Sequence, residues 1–363
     1  MLDTEPHLGV TALLRGTREF PATALWNDSA DPDELARSIG FGAVGATCNP
    51  VIAYTVISRH LATWAPRIAE IARAHPTWTE SRIGWRAVEE LSIEAAALLE
   101  PAFRHSAGRN GRLSVQTDPR LHTNAQALID QAVHFSQLAE NIIVKLPATA
   151  VGIEAIEEAT FRGVSVNVTV SFTVAQAIAA AEAIERGLDR RAADHVAERE
   201  FGSVVTIMGG RLDDWLKQVA ERERILFEPG HLDWAGIAVQ KRAYGIFRER
   251  RYRSRLLAAA FRHTLQWSEL LGGDLVISPP FDWQLRINEN ELPAESRIDV
   301  PVDANIIACL AERLPDFRRA YEPDGMTADE FLDFGATRAT LRQFLEADAK
   351  LDALVRDVLI PAQ

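Results

Sequence analysis

The stretch Ile142-Ile-Val-Lys-Leu-Pro-Ala148 is a short apolar run, rich in β-branched residues, that carries one lysine, Lys145. Such a run is typical of a strand that is buried on both faces in a parallel sheet covered by helices. Seven more runs of this kind, each bounded by turn residues, lie at residues 23–28, 43–49, 113–118, 164–170, 203–208, 255–261 and 275–280. Eight such strands alternating with helices predict an α/β fold, a closed (β/α)8 TIM barrel.

The segments between the runs have the pattern of helices. Asp31 is placed to cap a helix over residues 32–39, Glu34 follows three positions later, and Gly40 stands just past the end of that helix. Apolar residues recur at helical spacing in three further segments, at residues 125–138, 152–159 and 174–184.

Two parts of the chain are longer than a barrel crossover requires. Residues 51–110 have room for two or three extra helices, including one over residues 88–99. Residues 281–363 are predicted to form a C-terminal helical extension packed on the barrel, in which a polar loop leads to helices over residues 305–314, 328–334 and 341–359. At ~150 residues per domain the length suggests two or three domains, but α/β barrels routinely use more as one. Residues 1–363 are therefore predicted to be a single barrel domain.

Composition and charge exclude several classes of protein. The formal net charge of −12 opposes sequence-independent binding to nucleic acid. No run of ~18 apolar residues occurs, and residues 1–7 lack the features of a signal peptide, so a cytoplasmic protein without a membrane span is expected. Cys48 and Cys309 are too few for a disulfide framework or a cysteine metal site. Gly40-Phe-Gly-Ala-Val-Gly45 has the spelling of a dinucleotide fingerprint, but it enters a predicted strand and does not open a helix, which favours a tight turn.

Polar residues at the strand ends carry the functional information, because the chemistry of α/β barrels lies there. The residues in question are Asp28, Asn49, Gln116, Lys145, Asn167, Thr169 and Thr206. Burial can lower the pKa of Lys145 from ~10.4 toward ~7 to 8, where the free amine can form a Schiff base with a ketone. A lysine that extends to solvent between helices is the alternative.

The other polar residues have local alternatives as well. Asp28 could instead cap a helix, and Asn49 could be a turn residue. Asn167 and Thr169 share one strand face and could converge on one bound molecule.

Two arginines follow the later strands. Arg211 comes after Gly209-Gly210 beyond the sixth run, and Arg262 follows the seventh. Phosphate sites in barrels often form near the last strands, and a guanidinium can bind phosphate through two parallel hydrogen bonds. For Arg211 the alternative is a surface ion pair with Asp213 or Asp214.

The sequence resembles the transaldolase family of class I Schiff-base aldolases, from about Leu25 to Pro280. The resembling stretches are Ala46-Thr-Cys-Asn-Pro50, Ser114-Val-Gln-Thr-Asp-Pro-Arg120, Ile143-Val-Lys-Leu-Pro-Ala-Thr149, Gly163-Val-Ser-Val-Asn-Val-Thr169 with Gln176-Ala177, Gly210-Arg-Leu-Asp-Asp-Trp215 and Ala260-Phe-Arg262.

The resemblance implies an enzyme of the pentose phosphate pathway that transfers a dihydroxyacetone unit from a ketose phosphate to an aldose phosphate. It implies that Lys145 forms the Schiff base, that Asp28 takes the proton of the C4 hydroxyl, and that Thr169 positions a catalytic water. It assigns the other polar residues to substrate binding: Asn49, Asn167 and Thr206 at the hydroxyls, Arg211 and Arg262 at the phosphates. Neither a metal nor an organic cofactor is implied, because the iminium is itself the electron sink. The implied partners are sugar phosphates, and the chain is a possible homodimer.

The chain departs from the family pattern at several positions. Gln116 stands where transaldolases usually carry a proton-shuttling glutamate. The related fructose-6-phosphate aldolases also have glutamine there, together with a tyrosine after the sixth strand, where this chain has Met208. Thr206 and Ala260 each replace a serine. Two alternatives therefore stay open, an aldolase that releases free dihydroxyacetone and a catalytically silent sugar-phosphate-binding protein.

Overall fold

The computed structural model describes residues 10–194 and 202–361, and its centre is a closed barrel of eight parallel strands. Each strand pairs with the next along the chain, and the eighth pairs with the first. The strands are β1 (Ala24–Asn27), β2 (Ala43–Thr47), β3 (Arg112–Gln116), β4 (Ile142–Pro147), β5 (Val166–Thr169), β6 (Val204–Ile207), β7 (Arg255–Ala259) and β8 (Leu275–Ser278). All eight predicted runs are confirmed as strands, so the predicted (β/α)8 barrel is correct.

Helices surround the barrel and extend beyond it. Those in the described residues are α1 (Ala12–Glu19), α2 (Pro32–Gly40), α3 (Pro50–Arg59), α4 (Leu61–Ala74), α5 (Glu80–His105), α6 (Ala125–Ser136), α7 (Ala150–Phe161), α8 (Val174–Ala193), α9 (Gly209–Arg222), α10 (Trp234–Arg250), α11 (Leu265–Ser268), α12 (Phe281–Glu289), α13 (Ala304–Arg313), α14 (Pro315–Tyr321) and α15 (Gly335–Leu359). The three helices α3 to α5 confirm the predicted enlargement of the crossover between β2 and β3.

The first predicted helix begins as expected and ends differently. Asp31 caps α2, because its carboxylate accepts hydrogen bonds from the backbone N–H groups of Asp33 and Glu34. Gly40 is the last helical residue and does not follow the helix as predicted. The left-handed conformation falls two residues later, at Gly42 with φ of 98°, where a side chain would be strained.

Two predictions for the C-terminal region are wrong. Residues 281–289 form α12 and not a polar loop; the helix starts directly after Pro280 and packs against α1 and α2. The sequence pattern did not indicate α12, because most of this helix is polar and its narrow buried side holds only Gln284 and Ile287. In the predicted helix 328–334, the structure has only a 3₁₀ turn over Ala328–Glu330, closed by a capping box between Thr327 and Glu330.

The last helix, α15, packs against α3, α5 and α9. Its buried residues include Leu341, Phe344 and Leu351. Because these contacts join the end of the chain to helices of the barrel, we propose that the C-terminal extension and the barrel form one domain.

The interior of the barrel is apolar near its amino-terminal end. The buried residues that fill it are Ala24, Trp26, Ile143, Val204, Leu257 and Val276. Gly45 leaves room for the indole of Trp26, since an added Cβ would lie 2.5 Å from that ring. Ile143 and Lys145 are two positions apart on β4, so their side chains share the inward face and Lys145 lies above this floor.

Among the described residues, none of the helices combines the length and the hydrophobicity that a membrane crossing requires. Cys48 and Cys309 are both free thiols. Residues 1–7, on which the expectation of a cytoplasmic protein partly rests, lie outside the described residues.

Candidate active site

A cavity of about 90 Å³ opens at the carboxyl ends of the strands. Seven of the nine predicted site residues line it: Asp28, Asn49, Lys145, Thr169, Thr206, Arg211 and Arg262. Asn167 and Gln116 are not part of its lining. The remaining wall includes Thr47, Met208 and Phe344.

Lys145 is held in the cavity by β4 and is only 6% exposed. It does not extend to solvent between helices, so that alternative is wrong. Burial lowers the pKa of its ammonium group, the charge of Asp28 raises it, and the charge of Arg211 lowers it further. The net direction is downward, which increases the fraction of nucleophilic free amine. Burial also raises the pKa of the neighbouring Cys48 thiol to about 12, so this group stays protonated.

Asp28 follows β1 directly, and two contacts fix it. Its backbone N–H donates to the carbonyl of Pro279 at 3.2 Å, and its Oδ1 accepts a hydrogen bond from Thr47 Oγ1 at 2.5 Å. The helix-cap alternative for Asp28 is wrong, because Asp31 caps α2. Sequence reasoning missed Thr47, although it precedes Asn49 by two positions and so shares its inward direction.

Asn49 is both a capping residue and part of the cavity wall. Its Oδ1 accepts a hydrogen bond from the backbone N–H of Ile52 at 3.0 Å and caps α3. The alternative of a turn residue is therefore right in that Asn49 satisfies local backbone and wrong in that it does so at the start of a helix. The side-chain nitrogen is the atom that can donate to a molecule in the cavity.

Asn167 is fully buried outside the cavity lining, where it belongs to a chain of hydrogen-bonded polar side chains. Its Nδ2 donates to Ser114 Oγ at 2.9 Å, and its Oδ1 accepts from Thr206 Oγ1 at 2.7 Å. Thr206 gives its one proton to Asn167, so its oxygen can only accept hydrogen bonds from a molecule in the cavity. Asn167 thus orients Thr206.

Thr169 follows Asn167 by two positions and does line the cavity. It is 3% exposed, and its hydroxyl has a long contact of 4.0 Å with the sulfur of Met208. A thioether is a weak acceptor, so this hydroxyl is well placed to exchange its contact for a water or a substrate oxygen.

Gln116 borders a second, smaller cavity beside the first. This cavity is also lined by Asn49, which lines the first cavity as well, and by Asp348 of α15. Gln116 is 5% exposed, and its Oε1 has no hydrogen-bond partner among the described residues. Burial and the charge of Asp118 raise the pKa of Asp348 to about 7, while Arg120 opposes this shift. Sequence spacing gave no signal for Asp348, because α15 reaches the site from the far end of the chain.

Arg211 stands in the first turn of α9 and faces the cavity. No carboxylate of the described residues lies within ion-pair distance of it. The predicted alternative, a surface pair with Asp213 or Asp214, is wrong: Asp213 contacts His263 at 3.2 Å, and Asp214 pairs with Arg262 at 2.8 Å. The partners of Arg211 are instead neutral.

The guanidinium groups of Arg211 and Arg262 therefore lie together at the opening of the cavity, which is called the mouth below. Burial and the positive charge of Arg262 lower the pKa of Arg211. Two cations that repel each other across a cavity are stabilised by an anion bound between them, and guanidinium groups match phosphate oxygens in geometry. The arrangement suits a phosphate group.

One group of potential metal ligands was found in the described residues: Asp31, Asp33 and His60. Asp31 is already engaged there, since its Oδ1 caps α2 and its Oδ2 contacts His60 at 2.8 Å and Arg59 at 3.2 Å. These contacts explain why the three side chains lie close together: they link α2 to the end of α3.

The fold and the site together define a class, the (β/α)8 barrels with a buried lysine and two arginines at the carboxyl ends of the strands. The chain belongs to the Transaldolase/Fructose-6-phosphate aldolase family, whose sequence profile matches residues 25–323.

Individual relatives agree with this assignment. The chain is 33% identical over 199 residues to a transaldolase of Thiobacillus denitrificans, covering 52% of this chain and 54% of the relative. It is 32% identical over 173 residues to transaldolase 1 of Streptomyces avermitilis, covering 47% and 45%. A transaldolase of Mycobacterium tuberculosis is 29% identical over 284 residues, covering 73% and 72%. The match spans about half the length of the first two relatives.

Proposed function

We propose that the protein is a transaldolase that transfers a three-carbon dihydroxyacetone unit from a ketose phosphate to an aldose phosphate through a lysine Schiff base. The observation that carries the proposal is the buried Lys145, which shares one cavity with Asp28, Arg211 and Arg262. Membership of the family and the transaldolases among its relatives support it. We place the enzyme in the cytoplasm and in the pentose phosphate pathway, and a homodimer remains a prediction.

The chemistry begins with attack of the free amine of Lys145 on the carbonyl carbon of the ketose. Loss of water gives an iminium ion. Asp28, held by Thr47, then takes the proton of the C4 hydroxyl, and the bond between C3 and C4 breaks. Its electron pair moves to the iminium, so that an enamine and a free aldose result. An acceptor aldehyde reacts with the enamine in the reverse sense, and water releases the product.

Substrate binding follows from the donors and acceptors that line the cavity. Asn49 offers a side-chain N–H and Thr206 an acceptor oxygen to the hydroxyl groups of the three-carbon unit. Thr169 offers a hydroxyl to the water of the addition and release steps. Arg211 and Arg262 bind the phosphate, which fixes the carbonyl carbon relative to Lys145.

Borohydride reduction in the presence of fructose 6-phosphate tests the Schiff base. We expect mass spectrometry to find one reduced adduct, on Lys145, and none in a Lys145→Met variant. Lys217 and Lys241 are internal controls, since the first is exposed and the second is engaged with Glu269. An adduct on either of these, or no adduct at all, would contradict the mechanism.

A lyase that releases free dihydroxyacetone is the second candidate, and Gln116 is the observation that favours it. An amide cannot accept a proton, and this one lies outside the cavity that holds Lys145. The two candidates differ in whether turnover requires an added aldose acceptor. A silent sugar-phosphate-binding protein would bind phosphate without forming an adduct.

A further inference from the structure

The C-terminal helix α15 forms part of the mouth of the cavity. Phe344 is fully buried and lines the same cavity as Lys145. Gln343, the residue before Phe344, accepts a hydrogen bond from Nη1 of Arg211 through its Oε1. A helix from the end of the chain thus reaches a residue of the proposed phosphate site.

The contacts of Arg211 are unusual for a guanidinium group near carboxylates. Besides Gln343, it has a hydrogen-bond contact of 3.5 Å to Thr340 Oγ1, and its central carbon lies 5.5 Å from the ring centroid of Phe344. All three partners are uncharged and come from α15. Arg262, by contrast, is paired with the carboxylate of Asp214 at 2.8 Å.

The difference decides how much positive charge the mouth presents. A carboxylate orients a guanidinium but also neutralises it, whereas an amide oxygen orients it and leaves its charge available. The carboxylate of Asp214 partly compensates the positive charge of Arg262, which weakens the attraction of Arg262 for an anion. Arg211 has no such competitor among the described residues.

We infer that Gln343 is a positioning residue of the phosphate site, which holds the guanidinium of Arg211 at the cavity while keeping its charge uncompensated. The inference rests on the proposed function, since it assigns the phosphate of the substrate to this mouth. It makes α15 a determinant of the preference for phosphorylated over unphosphorylated sugars.

The variant Gln343→Glu tests this inference, because it retains the size of the side chain and places a carboxylate on Arg211. Arg342→Gln is the matched control: it lowers the net charge by the same one unit at the adjacent position, where Arg342 is exposed and pairs with Glu346. We expect binding of inorganic phosphate to the full-length protein, measured by calorimetry, to weaken about tenfold or more in Gln343→Glu and to change little in Arg342→Gln.

A kinetic measurement separates positioning from a general structural effect. In Gln343→Glu the KM for fructose 6-phosphate is expected to rise with little change in kcat, and the KM for unphosphorylated fructose is expected to stay constant. The variant Gln343→Asn, which retains the amide, should lose less affinity than Gln343→Glu.

Equal phosphate affinity in Gln343→Glu and the unaltered protein would overturn the inference, as would an equal loss in Arg342→Gln. Absence of phosphate binding in the unaltered protein would also overturn it, even if the adduct on Lys145 forms. If phosphate binding weakens as expected but no adduct forms, the inference stands and the proposed Schiff-base function fails.

Discussion

Gln116 and Lys145 lie on neighbouring strands at the same level of the barrel, since their Cα atoms are paired in the register of β3 and β4. The amide of Gln116 is one of the positions at which this chain departs from the pattern that its resemblance to transaldolases implies. Its buried Oε1 has no partner among the described residues, and an unpartnered buried acceptor costs stability. Because an amide cannot accept a proton, Gln116 cannot act as the base that the resemblance implies at this position.

Replacing Gln116 with glutamate should restore a proton acceptor. We expect Gln116→Glu to raise kcat for transfer from fructose 6-phosphate to erythrose 4-phosphate by about tenfold or more, because a positioned base contributes ~10²–10⁴-fold. The measurement is a coupled assay of the transfer, and Gln116→Met is the control that fits the space but accepts no proton. A lower rate in Gln116→Glu would mean that the site is adapted to other chemistry.

The candidate residues could be found from the sequence because each is a polar residue within or just after an apolar run, and seven of the nine predicted site residues line the cavity. Whether such a residue lines the cavity or stays buried outside it could not be found in this way. Asn167 and Thr169 have the same spacing pattern, yet only Thr169 reaches the cavity. Gln343 and Phe344 come from a distant helix, so no local pattern could connect them with Arg211.

The turn from β4 into α7 places Lys145 by close packing of the two elements. Thr149 caps the helix, since its Oγ1 accepts a hydrogen bond from the backbone N–H of Gly152 at 3.1 Å. At Gly152 an added Cβ would lie 1.7 Å from the carbonyl oxygen of Pro147, the last residue of β4. The helix can approach the strand this closely only because residue 152 has no side chain.

The variant Gly152→Ala should therefore affect both stability and catalysis. We expect the free energy of unfolding in urea to fall by about 2 kcal/mol or more, as is typical when a side chain is forced into a packed interior. The kcat is expected to fall as well, because the displaced end of β4 carries Lys145. Gly245→Ala is the control: Gly245 lies in α10, and an added Cβ would meet no atom within 4 Å, so alanine should stabilise the helix by up to ~1 kcal/mol. A fully stable, fully active Gly152→Ala would contradict this view of the turn.

Elements with a buried apolar pattern were predictable, and elements with polar surfaces were not. The strands are apolar on both faces, which is why all eight could be found. The narrow buried side of α12 gave no comparable signal, and its polar residues resembled a loop. Phe331 and Phe334 gave residues 328–334 the appearance of a helix, but both are buried as anchors of a turn.

At the scale of the whole molecule, α15 is fastened to the segment after β3 by a charged cluster. Arg120 contacts Asp118 at 2.7 Å, Asp348 at 3.0 Å and Asp352 at 3.2 Å. Three carboxylates surround one guanidinium, and Asp348 is 3% exposed. These conditions explain why the pKa of Asp348 is raised to about 7 from its ordinary value of 3.8.

The raised pKa predicts a pH dependence of stability. Between about pH 4 and 7 the folded protein holds a proton on Asp348 that the unfolded chain has released, so the contribution of this group to stability falls as the pH rises through this window. We therefore expect the Tm of the unaltered protein to fall between about pH 5 and about pH 8, and we expect this fall to be smaller in Asp348→Asn. Asp357→Asn, on the exposed side of the same helix, is the control and should keep the full decrease. An unchanged decrease in Asp348→Asn would assign the pH dependence to other groups.

Closure of the sheet also limits how this protein can aggregate. All eight strands in the described part of the chain are hydrogen-bonded on both sides, so these strands offer no free edge on which another chain could add. Aggregation through strand addition must then start from molecules whose barrel has already opened. Its rate should follow the population of opened molecules, and substitutions that stabilise the closed barrel should suppress it without any change to the surface.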